Sequence, residues 1–146
     1  VDIAFGSQII KKVRIVGPPR QATQVELSLT DAFYLGIRAP LRLSGDIQGT
    51  PGITLISPKR KLEIRKGVIV AKRHLHCSPQ EAQKLGLKKG MEISVKVKGE
   101  RGLVFDNVIV RIKEGFHLAV HLDTDEGNAA GIVKKGKGVI IKCRKN

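Results

Sequence analysis

The chain has 146 residues and a formal net charge of +14, from 27 Lys and Arg against 13 Asp and Glu. Its hydrophobic content of 41 % is typical of a folded chain, and no apolar run approaches the roughly 20 residues of a membrane-spanning helix. The charge favours anionic partners: nucleic acid, an acidic membrane surface or a phosphate-bearing metabolite. Aromatic residues make up only 3 %, which argues against a protein that stacks single-stranded bases on its rings.

The first residues and the cysteines say less about the class of protein. The first residues lack a basic start and an apolar core, so no secretory signal is predicted. The chain begins with Val1 rather than Met, which is typical of a fragment or a processed form. Cys77 and Cys143 could form one disulfide, but two cysteines make no disulfide framework, and this favours a reducing cytosol.

Short strands dominate the predicted elements. In chain order, the patterns predict strands at 8–16 and 23–27, a helix at 28–35, strands at 41–43, 53–56, 61–65, 67–72 and 74–76, a helix at 78–85, and strands at 91–98, 103–113 and 116–122. Ser28 and Ser78 are the predicted N-caps of the two helices. Many short strands at close spacing predict a mainly β chain, a barrel or sandwich rather than a parallel α/β sheet.

An internal repeat relates the two halves at an offset of 50 residues. Segment 28–37 aligns with 78–87, sharing the capping serine, an acidic residue three positions later, and a Leu-Gly pair at the helix end. Any capped helix would share part of this pattern, but the added Leu-Gly pair favours duplication. We therefore predict two small β-barrel domains with short capping helices, at 1–71 and 72–146, the first of them N-terminally incomplete.

The histidines give the clearest chemical signal. His74 and His76 are two positions apart on a predicted strand, so both imidazoles lie on one face and can reach one metal ion. His121 falls on a later strand and could supply a third imidazole. Two solvent-facing histidines on a strand are the alternative interpretation. His117 lies four residues, about 13 Å, from His121 along a strand, too far to share one ion, and is predicted to be a surface residue.

The repeat adds a carboxylate to this hypothesis. Glu26 aligns with His76 at the 50-residue offset, and a carboxylate is an acceptable zinc ligand. An exposed strand glutamate is the alternative. Arg20 follows a rigid Gly-Pro-Pro turn, and arginine suits a bidentate grip on phosphate, although a solvated loop arginine has the same pattern. Cys77 is predicted to be a core or turn thiol.

Several motifs together resemble one known family. They lie between about residues 11 and 132 in the order 17–20 (Gly-Pro-Pro-Arg), 23–26 (Thr-Gln-Val-Glu), 30–33 (Thr-Asp-Ala-Phe), 35–40 (Leu-Gly-Ile-Arg-Ala-Pro), 44–46 (Ser-Gly-Asp), 49–55, 67–76 (ending Arg-His-Leu-His), 100–107 and 121–126 (His-Leu-Asp-Thr-Asp-Glu). The chain resembles the PduL-type phosphate acyltransferases, the phosphate propanoyltransferases of bacterial microcompartments and their acetyl-transferring relatives.

The resemblance implies two β-barrel domains with a two-zinc site in the cleft between them, and transfer of an acyl group between coenzyme A and inorganic phosphate. It implies that His74, His76, Glu26 and His121 are metal ligands and that Arg20 contacts phosphate. The hypothesis is direct transfer: zinc lowers the pKa of the coenzyme A thiol and polarises the acyl carbonyl, and Arg20 neutralises the phosphoryl group. No enzyme nucleophile is evident.

One departure from the family pattern concerns the metal. The family has an earlier Arg-His-x-His motif, but this sequence has no histidine before His74. We therefore expect an N-terminal segment to be missing. The full-length protein is expected to bind two zinc ions, and this chain one or two. If the chain is truncated, reduced or absent activity is expected. Cys77 stands where the family usually has Met, and nothing catalytic is inferred from that change.

The implied partners are coenzyme A, acyl phosphate and phosphate, with no nucleic acid and no membrane. A homo-oligomer and microcompartment shell or cargo proteins stay open, as does a bacterial cytoplasmic location inside or outside a microcompartment. Two rival hypotheses come from other classes: a basic β-barrel that binds nucleic acid without catalysis, and a metal-free structural module of a shell or scaffold.

Overall fold

The computed structural model describes residues 1–17 and 19–144, with side chains up to residue 141. These residues form β1 (Asp2–Phe5), β2 (Gln8–Ile10), β3 (Val25–Leu27), α1 (Leu29–Leu35), β4 (Leu41–Arg42), β5 (Ile53–Ile56), β6 (Lys61–Ile64), β7 (Val68–Ala71), β8 (His74–Cys77), α2 (Pro79–Leu85), β9 (Glu92–Val97), β10 (Leu103–Ile112), β11 (Ala119–His121), α3 (Thr124–Ala129) and β12 (Gly138–Arg144). The prediction of a mainly β chain is confirmed.

Two compact units divide the chain, Val1–Ala71 and Lys72–Asn146. The first unit holds an antiparallel sheet of order β2-β1-β5-β6 and a parallel sheet of order β3-β7-β4. Ile3, Leu35 and Val68 are among its fully buried side chains. The second unit holds one sheet of order β11-β8-β10-β9-β12, in which β8 and β10 are parallel and the other neighbours antiparallel. Closure of either unit into a barrel stays a prediction.

Both predicted helices form, and their ends have the same geometry. The hydroxyls of Ser28 and Ser78 each accept a hydrogen bond from the backbone N–H three residues on, at N-cap ψ angles of 165° and 163°. Each helix stops at a glycine in the left-handed region, Gly36 with φ 70° and Gly86 with φ 64°. A side chain is strained in that conformation, so glycine ends the helix without cost. Each helix directly follows a short strand, β3 or β8.

The predicted strand at 8–16 is wrong beyond Ile10. Lys12 has a φ of 59°, and its backbone N–H donates to Asp2 Oδ1 at 2.8 Å. The backbone N–H of Val13 then donates to the carbonyl of Val1 at 2.7 Å. These contacts fold the chain back against β1 and end the strand early. Of the other predicted strands, all but 116–122 form within two residues of their predicted bounds.

The predicted strand at 116–122 shortens to β11, because the residues before it form a loop. Three elements were not predicted: β1, α3 and β12. Helix α3 begins at the N-cap Asp123, whose carboxylate accepts a hydrogen bond from the N–H of Glu126. Cys77 is fully buried as predicted, and the side chain of Cys143 lies outside the described residues, as does any disulfide to it. Within the described part of the chain, no helix is long and apolar enough to cross a bilayer.

Candidate metal centre

Three histidines meet where β8 and β11 pair. The two strands are antiparallel, with His121 opposite His74 and Ala119 opposite His76. Because alternate strand residues share a face, His74 and His76 project to one side, where His121 joins them from the neighbouring strand. The ring centroids lie 4.7 Å apart for His74 and His76, 5.0 Å for His74 and His121, and 4.2 Å for His76 and His121. The predicted one-face geometry of the pair is therefore present.

The nitrogens of this cluster are close to the spacing of a mononuclear site. One ring nitrogen from each histidine can be chosen so that all three lie within 4.8 Å of one another. Zinc–nitrogen bonds of about 2.0 Å in a tetrahedron separate the ligand nitrogens by about 3.3 Å. The spacing in the structure is wider than this, so the rings would move toward one another on binding a shared ion. The set of three imidazoles leaves a fourth position open, as in catalytic zinc sites.

Backbone contacts fix the tautomer of His74. Its ring is buried, and Nδ1 lies 2.9 Å from the carbonyl oxygen of Lys72. A carbonyl only accepts hydrogen bonds, so Nδ1 is assigned the proton and Nε2 carries the lone pair. A histidine ligand commonly donates its second ring N–H to a carbonyl in this way, which orients the ring and increases its basicity.

His76 provides the test of whether a metal fits these residues. Its Nε2 is buried and has no hydrogen-bond partner among the described residues. Burial, helped by the neighbouring His121, His74 and Arg111, lowers the pKa of His76 to about 4. The ring is therefore neutral near pH 7, which is the form that binds a metal, and its buried nitrogen lacks the partner that buried polar atoms usually have. The three residues fit a divalent cation such as zinc.

An aromatic ring covers His76. The ring of Phe116, in the loop before β11, stacks on the imidazole with a centroid distance of 3.8 Å and an interplanar angle of 17°. Lys113 lies on the same loop, and its ammonium is 6.0 Å from the centroid of the Phe116 ring. Sequence analysis did not identify Phe116, because its contact depends on the loop conformation and on no spacing rule. The stacked ring covers one face of the His76 imidazole.

Glu26 and Arg20 belong to the first unit. Glu26 lies at the centre of β3 with an exposed side chain, and Gln24 Nε2 donates to Glu26 Oε1 at 2.6 Å and to Ser44 Oγ at 3.0 Å. The N–H of Gly45 donates to Gln24 Oε1 at 2.7 Å, so one amide holds both the carboxylate and a turn. Arg20 is exposed in the irregular segment before β3. Their ligand and phosphate roles stay predictions, whereas His74, His76 and His121 are brought together.

His117 is exposed, in agreement with its predicted place at the surface. It precedes β11 and follows Phe116 directly. It is therefore a natural control for substitutions in the three-histidine cluster.

Comparison with known proteins identifies relatives over most of the chain. A family model described as phosphate propanoyltransferase matches residues 1–133. A phosphate propanoyltransferase of Escherichia fergusonii is 58 % identical over 123 residues, covering 84 % of this chain and 59 % of the relative. The phosphate propanoyltransferase of Salmonella arizonae is 56 % identical over 132 residues, covering 90 % of this chain and 63 % of the relative. That of Listeria monocytogenes is 47 % identical over 145 residues, covering 99 % of this chain and 68 % of the relative.

The comparisons confirm the resemblance derived from the motifs and give no support to the nucleic-acid-binding alternative. The chain spans about 60 % of the length of the first two relatives, at 59 % and 63 %.

Proposed function

We propose that this chain, which belongs to the phosphate propanoyltransferase family, transfers a short acyl group, propanoyl or acetyl, between coenzyme A and inorganic phosphate with the help of a bound metal. Family membership supports the reaction class. The observation that supports a bound metal is the buried Nε2 of His76, which has no partner among the described residues, with a second imidazole on the same strand and a third on the neighbouring strand β11.

His74, His76 and His121 would hold a zinc ion. When bound there, zinc lowers the pKa of a thiol or water ligand and polarises a carbonyl oxygen, both of which acyl transfer from a thioester needs. The chain's own contribution is to bring the three imidazoles close together and, through burial, to lower the pKa of His76 so that this ring is neutral near pH 7. The carbonyl of Lys72 orients His74, and the ring of Phe116 covers one face of the His76 imidazole.

Glu26 is proposed as a further metal ligand, on the basis of its place in the predicted repeat. It lies two residues before the N-cap of α1, as His76 lies two residues before the N-cap of α2, and the two caps have nearly the same dihedral angles. Gln24 donates to its carboxylate, which fixes the orientation of the carboxylate as hydrogen bonds to metal-binding carboxylates commonly do.

Arg20 is the proposed phosphate-binding group. Its guanidinium can donate two parallel hydrogen bonds to a phosphate and neutralise the charge on the phosphoryl oxygens. The wider charge of +14 adds attraction for coenzyme A, whose phosphates make it a polyanion. Electrostatic attraction then helps to hold both substrates, which an uncharged protein would not do.

Direct transfer without an acyl-enzyme is the proposed route. Cys77 is the nearest thiol in sequence to the histidines, but its side chain is fully buried and burial raises its pKa, so it is a poor nucleophile. The phosphate oxygen then attacks the thioester carbonyl, and the coenzyme A thiolate leaves and takes a proton. The bacterial cytoplasm, free or within a microcompartment, is the proposed location, with shell or cargo proteins as partners there.

The test is an assay of acyl phosphate formation from propanoyl- and acetyl-coenzyme A with phosphate, on the 146-residue chain supplied with zinc. Wild type is expected to turn over, His74→Ala and His121→Ala to fall at least 100-fold, and the exposed His117→Ala to match wild type. Turnover that survives both cluster substitutions, or that falls equally in His117→Ala, would contradict the proposal. Inactive wild type that nevertheless binds zinc would contradict activity of this chain by itself and leave the metal site standing.

A further inference from the structure

Two glutamates cap the helices that follow the two histidine strands. Helix α2 follows β8, and Glu81 Oε2 accepts a hydrogen bond from the backbone N–H of Ser78 at 2.8 Å. Helix α3 follows β11, and Glu126 Oε2 accepts from the backbone N–H of Asp123 at 3.0 Å. Each glutamate occupies the third helical position of a capping box, an ordinary arrangement that uses one carboxylate oxygen.

The second oxygen of each glutamate contacts the residue that leads into the other histidine strand. Glu81 Oε1 accepts a hydrogen bond from the backbone N–H of Leu118, which directly precedes β11, at 3.1 Å. Glu126 Oε1 lies 2.7 Å from Nε of Arg73, which directly precedes β8. The helix after β8 is therefore tied to the start of β11, and the helix after β11 to the start of β8.

These two contacts compensate for a short strand pairing. Only residues 119–121 of β11 pair with residues 74–76 of β8, and the strands are far apart in sequence. A slip of one residue would turn every side chain of one strand to the other face and separate the histidines. Since β8 and β11 are antiparallel, the contacts of Glu81 and Glu126 lie at opposite ends of the pairing and fix the register from both sides.

The contact of Glu126 with Arg73 is itself anchored. The Arg73 guanidinium carbon lies 5.4 Å from the ring centroid of Phe105, on the neighbouring strand β10. The side chains of Arg73 and Glu126 are 34 % and 18 % exposed. Because both side chains are partly shielded from water, salt screens this pair less than it screens an exposed ion pair.

We propose that Glu81 and Glu126 are positioning residues for the metal centre, reciprocal clamps that hold β8 and β11 in the register that brings His74, His76 and His121 together. This inference rests on the proposed metal site. Neither glutamate belongs to the three-histidine cluster; both act through the residues that lead into the strands carrying the ligands.

Glutamine substitutions separate clamping from capping. Gln is accepted at the third position of a capping box, so Glu81→Gln and Glu126→Gln keep one oxygen for the helix cap. The amide nitrogen cannot accept a hydrogen bond from Leu118 or from Arg73. Removal of partners that orient metal ligands typically weakens metal binding 10- to 100-fold, so each variant is expected to bind Zn²⁺ about 10-fold or more weakly, in competition with a chelator of known affinity.

Ser78→Ala is the matched control, because it removes the capping hydroxyl and leaves both carboxylate oxygens of Glu81 with their backbone partners. It is expected to lower the melting temperature while changing the zinc affinity less than about 2-fold. The absorption spectrum of the Co²⁺-loaded protein is a second readout, expected to change in both Gln variants and to stay unchanged in Ser78→Ala. A double-mutant cycle with Arg73→Ala should show that the double variant loses no more affinity than Glu126→Gln alone.

The possible failures are distinct. Zinc affinity and Co²⁺ spectra that stay at wild-type values in both Gln variants would overturn the clamps and leave the metal site standing. An equal loss of affinity in Ser78→Ala would assign the effect to helix stability and would also overturn the clamps. Wild type that binds no zinc would overturn the metal site itself.

Discussion

Replacing His76 with leucine should make the protein more stable than wild type without metal and less stable than wild type with zinc bound. In the metal-free protein, His76→Leu removes a buried nitrogen without a partner, whose desolvation costs about 1–3 kcal/mol. The same substitution loses the stack on Phe116, worth about 0.5–1.5 kcal/mol. The net expectation is a variant more stable than wild type by about 1 kcal/mol in the presence of a chelator.

Zinc changes the sign of this difference. At a free zinc concentration 100 times the Kd, binding stabilises the folded wild type by about 2.7 kcal/mol. The variant has lost a ligand and should gain little, so wild type becomes the more stable protein. Urea unfolding with chelator and with buffered zinc measures both differences. His117→Leu, at an exposed position outside the cluster, is the control and should follow wild type in both conditions.

The pH dependence supplies a second signature of the same substitution. The pKa of His76 lies at about 4 in the folded protein, against 6.5 for the unfolded chain. The unfolded protein therefore takes up a proton between pH 6.5 and 4 that the folded protein does not, and metal-free wild type loses stability as the pH falls through this window. His76→Leu lacks this loss, so its advantage should grow toward pH 4. A variant less stable than wild type in chelator, or one stabilised by zinc as much as wild type, would refute the reasoning.

Three further predictions concern other parts of the chain. The backbone hydrogen bonds from Ser78 and Leu118 lower the pKa of Glu81. The ionised carboxylate therefore stabilises the fold above its ordinary pKa of 4.5, and this stabilisation is lost as the pH falls through the lowered value. Urea midpoints between pH 3 and 6 should depend less on pH in Glu81→Gln, and a profile unchanged from wild type would contradict this. Gly67→Ala should cost about 2 kcal/mol or more, because φ is 127° and an added Cβ would clash with the carbonyl oxygen of Thr23. Gly6→Ala, with φ 57° and open space around it, should cost only about 1–2 kcal/mol, and equal urea midpoints for the two variants would contradict the packing argument. Cys77→Ala should keep kcat within about 2-fold, because a buried thiol takes no part in direct transfer, and should lower stability by about 1 kcal/mol, because it leaves a small cavity. An acyl group found on Cys77 by mass spectrometry would refute direct transfer.

Local rules predicted the parts of the fold that short segments determine. The serine caps and terminal glycines located α1 and α2, and short β-branched runs located most strands. The i, i+2 spacing placed His74 and His76 on one face without further information. Lys12 shows the limit of this approach: its left-handed backbone is stabilised by Asp2, ten residues away, and no pattern within 8–16 indicates that contact.

The rest of the metal centre depends on pairing between distant segments. Nothing in the spacing of His121 says that β11 lies beside β8 rather than another strand. The sequence offered His121 only as a possible third imidazole, the family resemblance implied that it is a ligand, and the register of the two strands supplied its geometry. Phe116, Glu81 and Glu126 were missed as members of the site for the same reason, because each contact crosses between elements. The capping box at Asp123 could have indicated α3, since Asp followed by Glu three residues later is a recognised start signal.

The most direct test of the central claim is the zinc content per chain, measured by elemental analysis of the untagged protein after loading with zinc and removal of the excess. We predict at least one zinc per wild-type chain, retained in His117→Ala and lost when His74 and His76 are both replaced by alanine. A wild-type chain without bound metal, or a double variant that retains it, would contradict the account of His74, His76 and His121 as a metal centre.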